Sequence, residues 1–280
     1  MSNNLLSLND SNKPNKIIFF LDKSVNKNPR AIQMTNLQDA YKFKVLNLNL
    51  WGLFAPISED REIRFKALAN MITQSDYDVI ILQEVWLTQN EEYKNFLQIT
   101  ANKFPYHAST ENLSSCKYDI VKIVDIHNCA GLLTLSRHPL DEVKFTPYEK
   151  QGHEGLVGLA SSNFEGIVGK GVLQTSLKLN GTLTIDIFNS HLVSFTHNKF
   201  VDDVTHNGVR TNQTATLIKA IQNSNADVKI FGTDLNAVPL KGPENSYGLL
   251  GIELIDSLIE RYPEASWNPL FATHGKDKAF

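Results

Sequence analysis

The chain has 280 residues, 42% hydrophobic and 20% charged, a composition that suits a folded domain with a sizeable core and excludes a disordered or fibrous chain. Its formal net charge of −3 provides no global basic field, so nucleic acid would have to be met by a local patch. Two cysteines, Cys116 and Cys129, are too few for a disulfide framework, and no Cys/His zinc spacing occurs. The N-terminus lacks the basic region and apolar run of a signal peptide, and no segment reaches the ~20 apolar residues of a membrane span. The expectation is a soluble protein, cytoplasmic or peripherally membrane-associated, with its oligomeric state open.

Residues 1–40 are rich in Asn, Lys and Ser and read as a poorly ordered extension without chemistry. Phe43 to Leu50 alternates as a strand, with Phe43, Val45, Asn47 and Asn49 on one face and Leu46, Leu48 and Leu50 on the other. Taken alone, the two asparagines read as edge or capping amides. After the apolar loop Trp51 to Ile57, Ser58 is a plausible N-cap for a helix with Ile63, Ala67, Leu68, Met71 and Ile72 as its stripe. Asp78 to Gln83 reads as a strand buried on both faces that delivers Glu84 at its end. Packing explains an acid there poorly, and a cation is one partner that would hold it.

Glu91 to Asn102 is a helix candidate and Pro105 to Ser109 a short strand, followed by an irregular loop over 111–128. Ala130 to Ser136 reads as a strand closed by Arg137-His138-Pro139, with Leu140 to Phe145 expected to pair with it. A glycine-rich crossing over 152–171 contains Gly169-Lys170-Gly171, which lacks the spacing and the Ser or Thr of a nucleotide-binding phosphate loop. Val172 to Leu179 and Thr182 to Asn189 form a hairpin about Asn180-Gly181. Its second strand ends at Ser190-His191-Leu192. Val209 to Asn223 reads as a helix, and Asp227 to Phe231 as a buried strand turning through Gly232 to Asn236. The pattern is one α/β domain in which strand ends carry Asn47, Glu84, His191, and Asp234 with Asn236. A carboxylate that orients water beside an amide that donates to an oxygen is a pairing suited to phosphoester chemistry.

Several motifs together resemble the endonuclease/exonuclease/phosphatase superfamily, the deoxyribonuclease I-like fold, and within it the neutral sphingomyelinases. They are Asn47-Leu48-Asn49-Leu50-Trp51-Gly52, Leu82-Gln83-Glu84-Val85-Trp86, Gly131 through Pro139, Ser190-His191-Leu192 and Asp234-Leu235-Asn236, in family order over about residues 43–270. The resemblance implies a four-layer α/β/β/α sandwich over residues 41–280 and a Mg²⁺-dependent phosphodiesterase cleaving sphingomyelin to ceramide and phosphocholine. By position it implies Glu84 as the principal Mg²⁺ ligand with Asn47 beside it. His191 is implied as the group that bonds the phosphate, and Asp234 and Asn236 as the pair orienting water and phosphoryl group. Asn49, Lys170, Arg210 and His138 are supporting candidates. The implied partner is a phospholipid at a membrane surface rather than nucleic acid, and the loop Trp51 to Ile57 is an apolar lip that could enter a bilayer interface.

The sequence departs from the family in three places. Thr233 stands where Gly usually precedes the Asp, which extended backbone would accommodate, and Val209-Arg210 replaces His-Arg. The family's Asp-Tyr strand and Ser-Asp-His motif, whose His is the general base, do not follow Asp234, and His274 stands too early to replace it. These 280 residues are therefore expected to be a fragment or truncated form lacking the fold's last strands and to turn over weakly. A nuclease, a phosphoinositide phosphatase or a degenerate non-catalytic member of the same fold are the alternatives.

Overall fold

The structure is a computed structural model and describes residues 43–52, 58–86, 91–113, 129–151, 169–194 and 203–236. The expectations for residues 1–40, for the lip residues 53–57, for most of the 111–128 loop and the glycine-rich crossing, and for the segment after Asn236 fall outside these residues.

Two four-stranded sheets pack face to face. The first contains β1 (Val45–Asn49), β2 (Val79–Gln83), β3 (Tyr106–Ser109) and β4 (Leu133–Ser136), in the order β1-β2-β4-β3. The second contains β5 (Leu140–Pro147), β6 (Gly171–Leu179), β7 (Leu183–His191) and β8 (Val228–Asp234), in sequence order. Helices α1 (Arg61–Gln74) and α2 (Glu91–Thr100) cover the outer face of the first sheet, and α3 (Asp203–Gln222) covers the second. This is the four-layer sandwich. No helix among the described residues is long and apolar enough to cross a membrane.

Period-two alternation assigns each face. In β1 and β2, Leu46, Leu50, Ile80 and Leu82 turn toward α1 and α2, while Val45, Val79 and Ile81 turn toward the second sheet. In β7 and β8, Phe188 and Phe231 meet Leu217 and Ile221 of α3, while Ile185, Ile187 and Ile230 meet the first sheet. Burying such side chains contributes roughly 1.5–3 kcal/mol each, so the inter-sheet seam is a principal source of stability. The hairpin turns at Asn180 (φ 52°) and Gly181 (φ 75°), the pair of left-handed residues that matches strand twist.

Four expectations are corrected. Leu140 to Phe145 does not pair with β4, because β2 and β3 already occupy both edges of that strand. After Ser136, whose hydroxyl bonds both the N–H and the C=O of His138, the chain crosses to the second sheet and pairs with β6. Helix α1 buries Phe65, Leu68, Ala69 and Ile72, leaving Ile63 68% and Met71 46% exposed, so its apolar stripe is rotated from the one expected. Its N-cap is Asp60, whereas Ser58 donates to the Trp51 carbonyl. The last strand does not turn at Gly232 but pairs with β7 as far as His191↔Asp234, so Thr233 lies in extended backbone that needs no glycine.

Candidate active site

The parallel pairs β1–β2 and β7–β8 end on the same side of the molecule, and their inter-sheet faces open there together. Along β1, β7 and β8, that face passes from apolar residues to Asn49, His191 and Asp234. At the end of β2, the backbone turns left-handed at Glu84 (φ 55°), and Trp51 (φ 49°) and Asn236 (φ 47°) take similar conformations. Asparagine tolerates this region, but a glutamate or tryptophan there costs on the order of 1–3 kcal/mol, strain of the kind that clusters at functional sites.

Asn49 is the hub. Its amide nitrogen donates to Glu84 Oε1 at 2.7 Å and to Asp234 Oδ2 at 2.8 Å, and its oxygen accepts from the Trp51 N–H at 2.8 Å. Asp234 Oδ1 accepts from the backbone N–H of Asn236 at 3.0 Å. The Asn236 side chain donates to the Leu192 carbonyl at 3.0 Å and lies 3.0 Å from His191 Nε2, which accepts from it when the ring is neutral. His191 Nε2 is 3.9 Å from Glu84 Oε1. Desolvation pushes the Asp234 carboxyl upward. The charge of protonated His191, the Asn49 amide, the Asn236 N–H and the Lys170 ammonium outweigh it and hold the group below its ordinary value.

The expected residues do not all meet. Glu84, His191, Asp234, Asn236 and Asn49 converge. Asn47, expected beside the metal, lies one layer deeper, donating to the Thr233 carbonyl at 3.3 Å and accepting from Gln83 at 2.8 Å. Its amide nitrogen and oxygen both bond within the seam, and no hydrogen bond joins it to Glu84. Lys170 is 1% exposed and donates to the Leu192 carbonyl at 2.9 Å, and Arg210 donates to the Ser194 carbonyl at 3.2 Å, so both grip the backbone following His191.

His138 sits at the opposite end of the sheets. β4 runs antiparallel to β2, which brings His138 Nε2 3.2 Å from Asp78 Oδ1, six residues and about 20 Å of strand from Glu84. His138→Ala is therefore expected to leave turnover within twofold of wild type and to cost about 1 kcal/mol of stability, measured by denaturant titration. A loss of turnover without a loss of stability would put His138 back in the reaction.

Glu84 Oε2 is buried and without a hydrogen-bond partner, although the carboxylate's other oxygen is engaged. An anionic oxygen left this way fits a cation. Among the described residues no three acidic, histidine or cysteine side chains gather to hold an ion. A single carboxylate oxygen of this kind suits a hard ion that takes few protein oxygens and keeps its waters, as Mg²⁺ does. Gly52 supports the same carboxylate: its N–H donates to the Glu84 carbonyl at 2.9 Å, and a Cβ at position 52 would lie 2.2 Å from that oxygen. Gly52→Ala must displace the Glu84 backbone, and a loss of 1–3 kcal/mol of stability with at least tenfold weaker cation binding is expected, on the order seen when second-layer contacts of a metal site are broken. Unchanged cation affinity, read by calorimetry, would contradict this.

The sequence profile of the Endonuclease/Exonuclease/phosphatase family matches residues 46–247. Inositol phosphosphingolipids phospholipase C of Schizosaccharomyces pombe is 28% identical over 242 residues, covering 84% of this chain and 50% of that protein. The chain spans about half or less of the length of such curated relatives. Two solved structures share the fold. Sphingomyelinase C from Streptomyces griseocarneus has a TM-score of 0.55 at 16% identity, covering 76% of this chain and 70% of that one. A Staphylococcus aureus beta toxin mutant with bound magnesium ions has a TM-score of 0.57 at 15% identity, covering 75% and 70%. With the family's profile spanning most of the chain, and both sheets and their shared open end in place, the chain belongs to the endonuclease/exonuclease/phosphatase family.

Proposed function

We propose that the chain carries the site of a Mg²⁺-dependent phosphodiesterase that hydrolyses sphingomyelin to ceramide and phosphocholine at a membrane surface. The observation that carries this reading is the partnerless, buried Oε2 of Glu84, in a carboxylate tied through Asn49 to Asp234. The choice of a sphingolipid over a nucleic acid is supported by the likeness to a phospholipase named for inositol phosphosphingolipids and by the net charge of −3.

Glu84 Oε2 is the atom offered to the cation, and Mg²⁺ held there would polarise the phosphodiester and stabilise the leaving alkoxide. Asn49 stands between two carboxylates with a donor for each, which keeps like charges close at fixed separation. Asp234, held at both oxygens, stays ionised and accepts a hydrogen bond from the attacking water. The His191 ring is positioned to donate to a phosphoryl oxygen once protonated, which also frees the Asn236 N–H from which the neutral ring accepts; the other Asn236 N–H stays on the Leu192 carbonyl.

The test offers the chain sphingomyelin in mixed micelles, inositol phosphosphingolipid in the same micelles, and supercoiled plasmid, each with Mg²⁺ and with EDTA. Phosphocholine release abolished by EDTA is the expected result. Release from the inositol lipid alone moves the head group and keeps the class, whereas plasmid nicking without lipid hydrolysis overturns the reading.

A further inference from the structure

Beneath the convergence of Asn49, Glu84, His191 and Asp234 lies a second polar layer that packing does not require. The inter-sheet face of β1 reads Val45, Asn47, Asn49, that of β2 Val79, Ile81, Gln83, and that of β7 Ile185, Ile187, Asn189, His191. Each strand thus inserts an amide between its apolar residues and the site, at a depth where 8%, 0% and 0% of Asn47, Gln83 and Asn189 is exposed. Gln83 Nε2 donates to Asn47 Oδ1 at 2.8 Å and, across the seam, to Asn189 Oδ1 at 2.9 Å. Asn189 Nδ2 donates back to the carbonyls of Leu82 at 3.0 Å and Leu133 at 3.2 Å, and Asn47 Nδ2 donates to the carbonyl of Thr233. On β8 the layer is occupied by Gly232, where a Cβ would lie 2.5 Å from Asn47 Oδ1.

Most of these ties end within two positions of a site residue; the one to the Leu133 carbonyl anchors the layer to β4. Gln83 precedes Glu84, Thr233 precedes Asp234, and Asn47 and Asn189 stand two positions before Asn49 and His191 on the same strand faces. The apolar seam below holds the sheets together but is non-directional, and a small slide of one sheet on the other changes its burial little. Hydrogen bonds between the sheets depend steeply on distance and angle, so this layer sets their register. It is also not the most stable filling of the space, because Gln83 Oε1 is buried without a partner.

We propose that Asn47, Gln83 and Asn189 are positioning residues that lock the two sheets in the register at which Glu84 and Asn49, on one sheet, meet His191 and Asp234 on the other. The inference rests on the phosphodiesterase reading for what the site does, but not for its geometry. Removing the whole network for apolar groups of similar volume leaves no unpaired side chain and spares the fold, while the register loses its directional ties.

The experiment compares wild type, Gln83→Met and the triple variant Asn47→Leu, Gln83→Met, Asn189→Leu. The readouts are thermal unfolding, Mg²⁺ affinity by calorimetry without substrate, and separate kcat and KM on sphingomyelin micelles. The expected result is a triple variant that unfolds cooperatively at or above the wild-type temperature, binds Mg²⁺ at least tenfold more weakly, and loses kcat with little change in KM. A folded triple variant with wild-type Mg²⁺ affinity overturns the proposal, as does failure of both variants to fold, which would make the layer a stability element. A wild type that binds Mg²⁺ and hydrolyses no sphingomyelin defeats the substrate reading alone, and the affinities then still decide the register lock.

Discussion

Glu84→Gln is expected to lower the proposed Mg²⁺-dependent turnover on the order of 10³-fold while leaving the chain folded. Glutamine keeps the length of the side chain and an oxygen to accept the Asn49 amide, so the 2.7 Å contact survives. What it removes is the anion at Oε2, the atom that lies buried with no partner. Few protein oxygens are available in this site, so nothing nearby replaces that charge, and a loss of several kcal/mol of transition-state stabilisation corresponds to about three powers of ten. Stability should move the other way or not at all. The substitution relieves repulsion between Glu84 and Asp234, which are bridged by the two N–H groups of one amide nitrogen, and supplies a neutral group to a desolvated position. The measurement is kcat at saturating Mg²⁺ beside the unfolding temperature of the metal-free protein. Turnover within tenfold of wild type would mean that the cation is held elsewhere.

The sequence carried some of this site openly and hid the rest. Glu84, His191 and Asp234 stood out because a charged or ionisable side chain directly after a run of buried strand residues has no packing reason to be there. Asn47 and Asn49 were indistinguishable by the same logic, since period two places both on one face. Which one is outermost depends on β1 pairing with β2 as far as Asn49↔Gln83, a fact of register between strands more than thirty residues apart. Gln83 and Asn189 close the strands expected at Asp78 to Gln83 and Thr182 to Asn189, but their bond joins residues 106 apart in the chain and leaves no local signal. His138 belongs to the motif Gly131 through Pro139 in sequence and lies far from the site in space, because β4 runs antiparallel and carries its end away. The hydrophobic pattern of Leu140 to Phe145 announces a strand but not its sheet. Partner choice was settled by the edges of β4 being taken.

Asp234→Asn is expected to lower turnover on the order of 10²- to 10³-fold, with a pH signature that separates it from general damage. Asparagine still accepts from Asn49 or from the Asn236 N–H, so positioning is largely kept, but the charge that orients water and faces protonated His191 is gone. Because the folded pKa of Asp234 lies below its unfolded value of 3.8, the wild-type carboxylate stabilises the fold at all pH values above the unfolded pKa. That contribution is lost only as pH falls through the depressed folded pKa. The stability difference between wild type and Asp234→Asn, followed by urea titration, should therefore stay level from about pH 8 to about pH 5 and narrow below about pH 4. Narrowing that begins already between about pH 7 and 6 would require a raised pKa, meaning that desolvation outweighs the pull of Asn49, His191 and Lys170. In that case Asp234 would hold a proton near neutrality and would lack the negative charge that orients the attacking water. The water-orienting role would then have to pass to the Asn236 amide and the His191 ring, 3.0 Å apart.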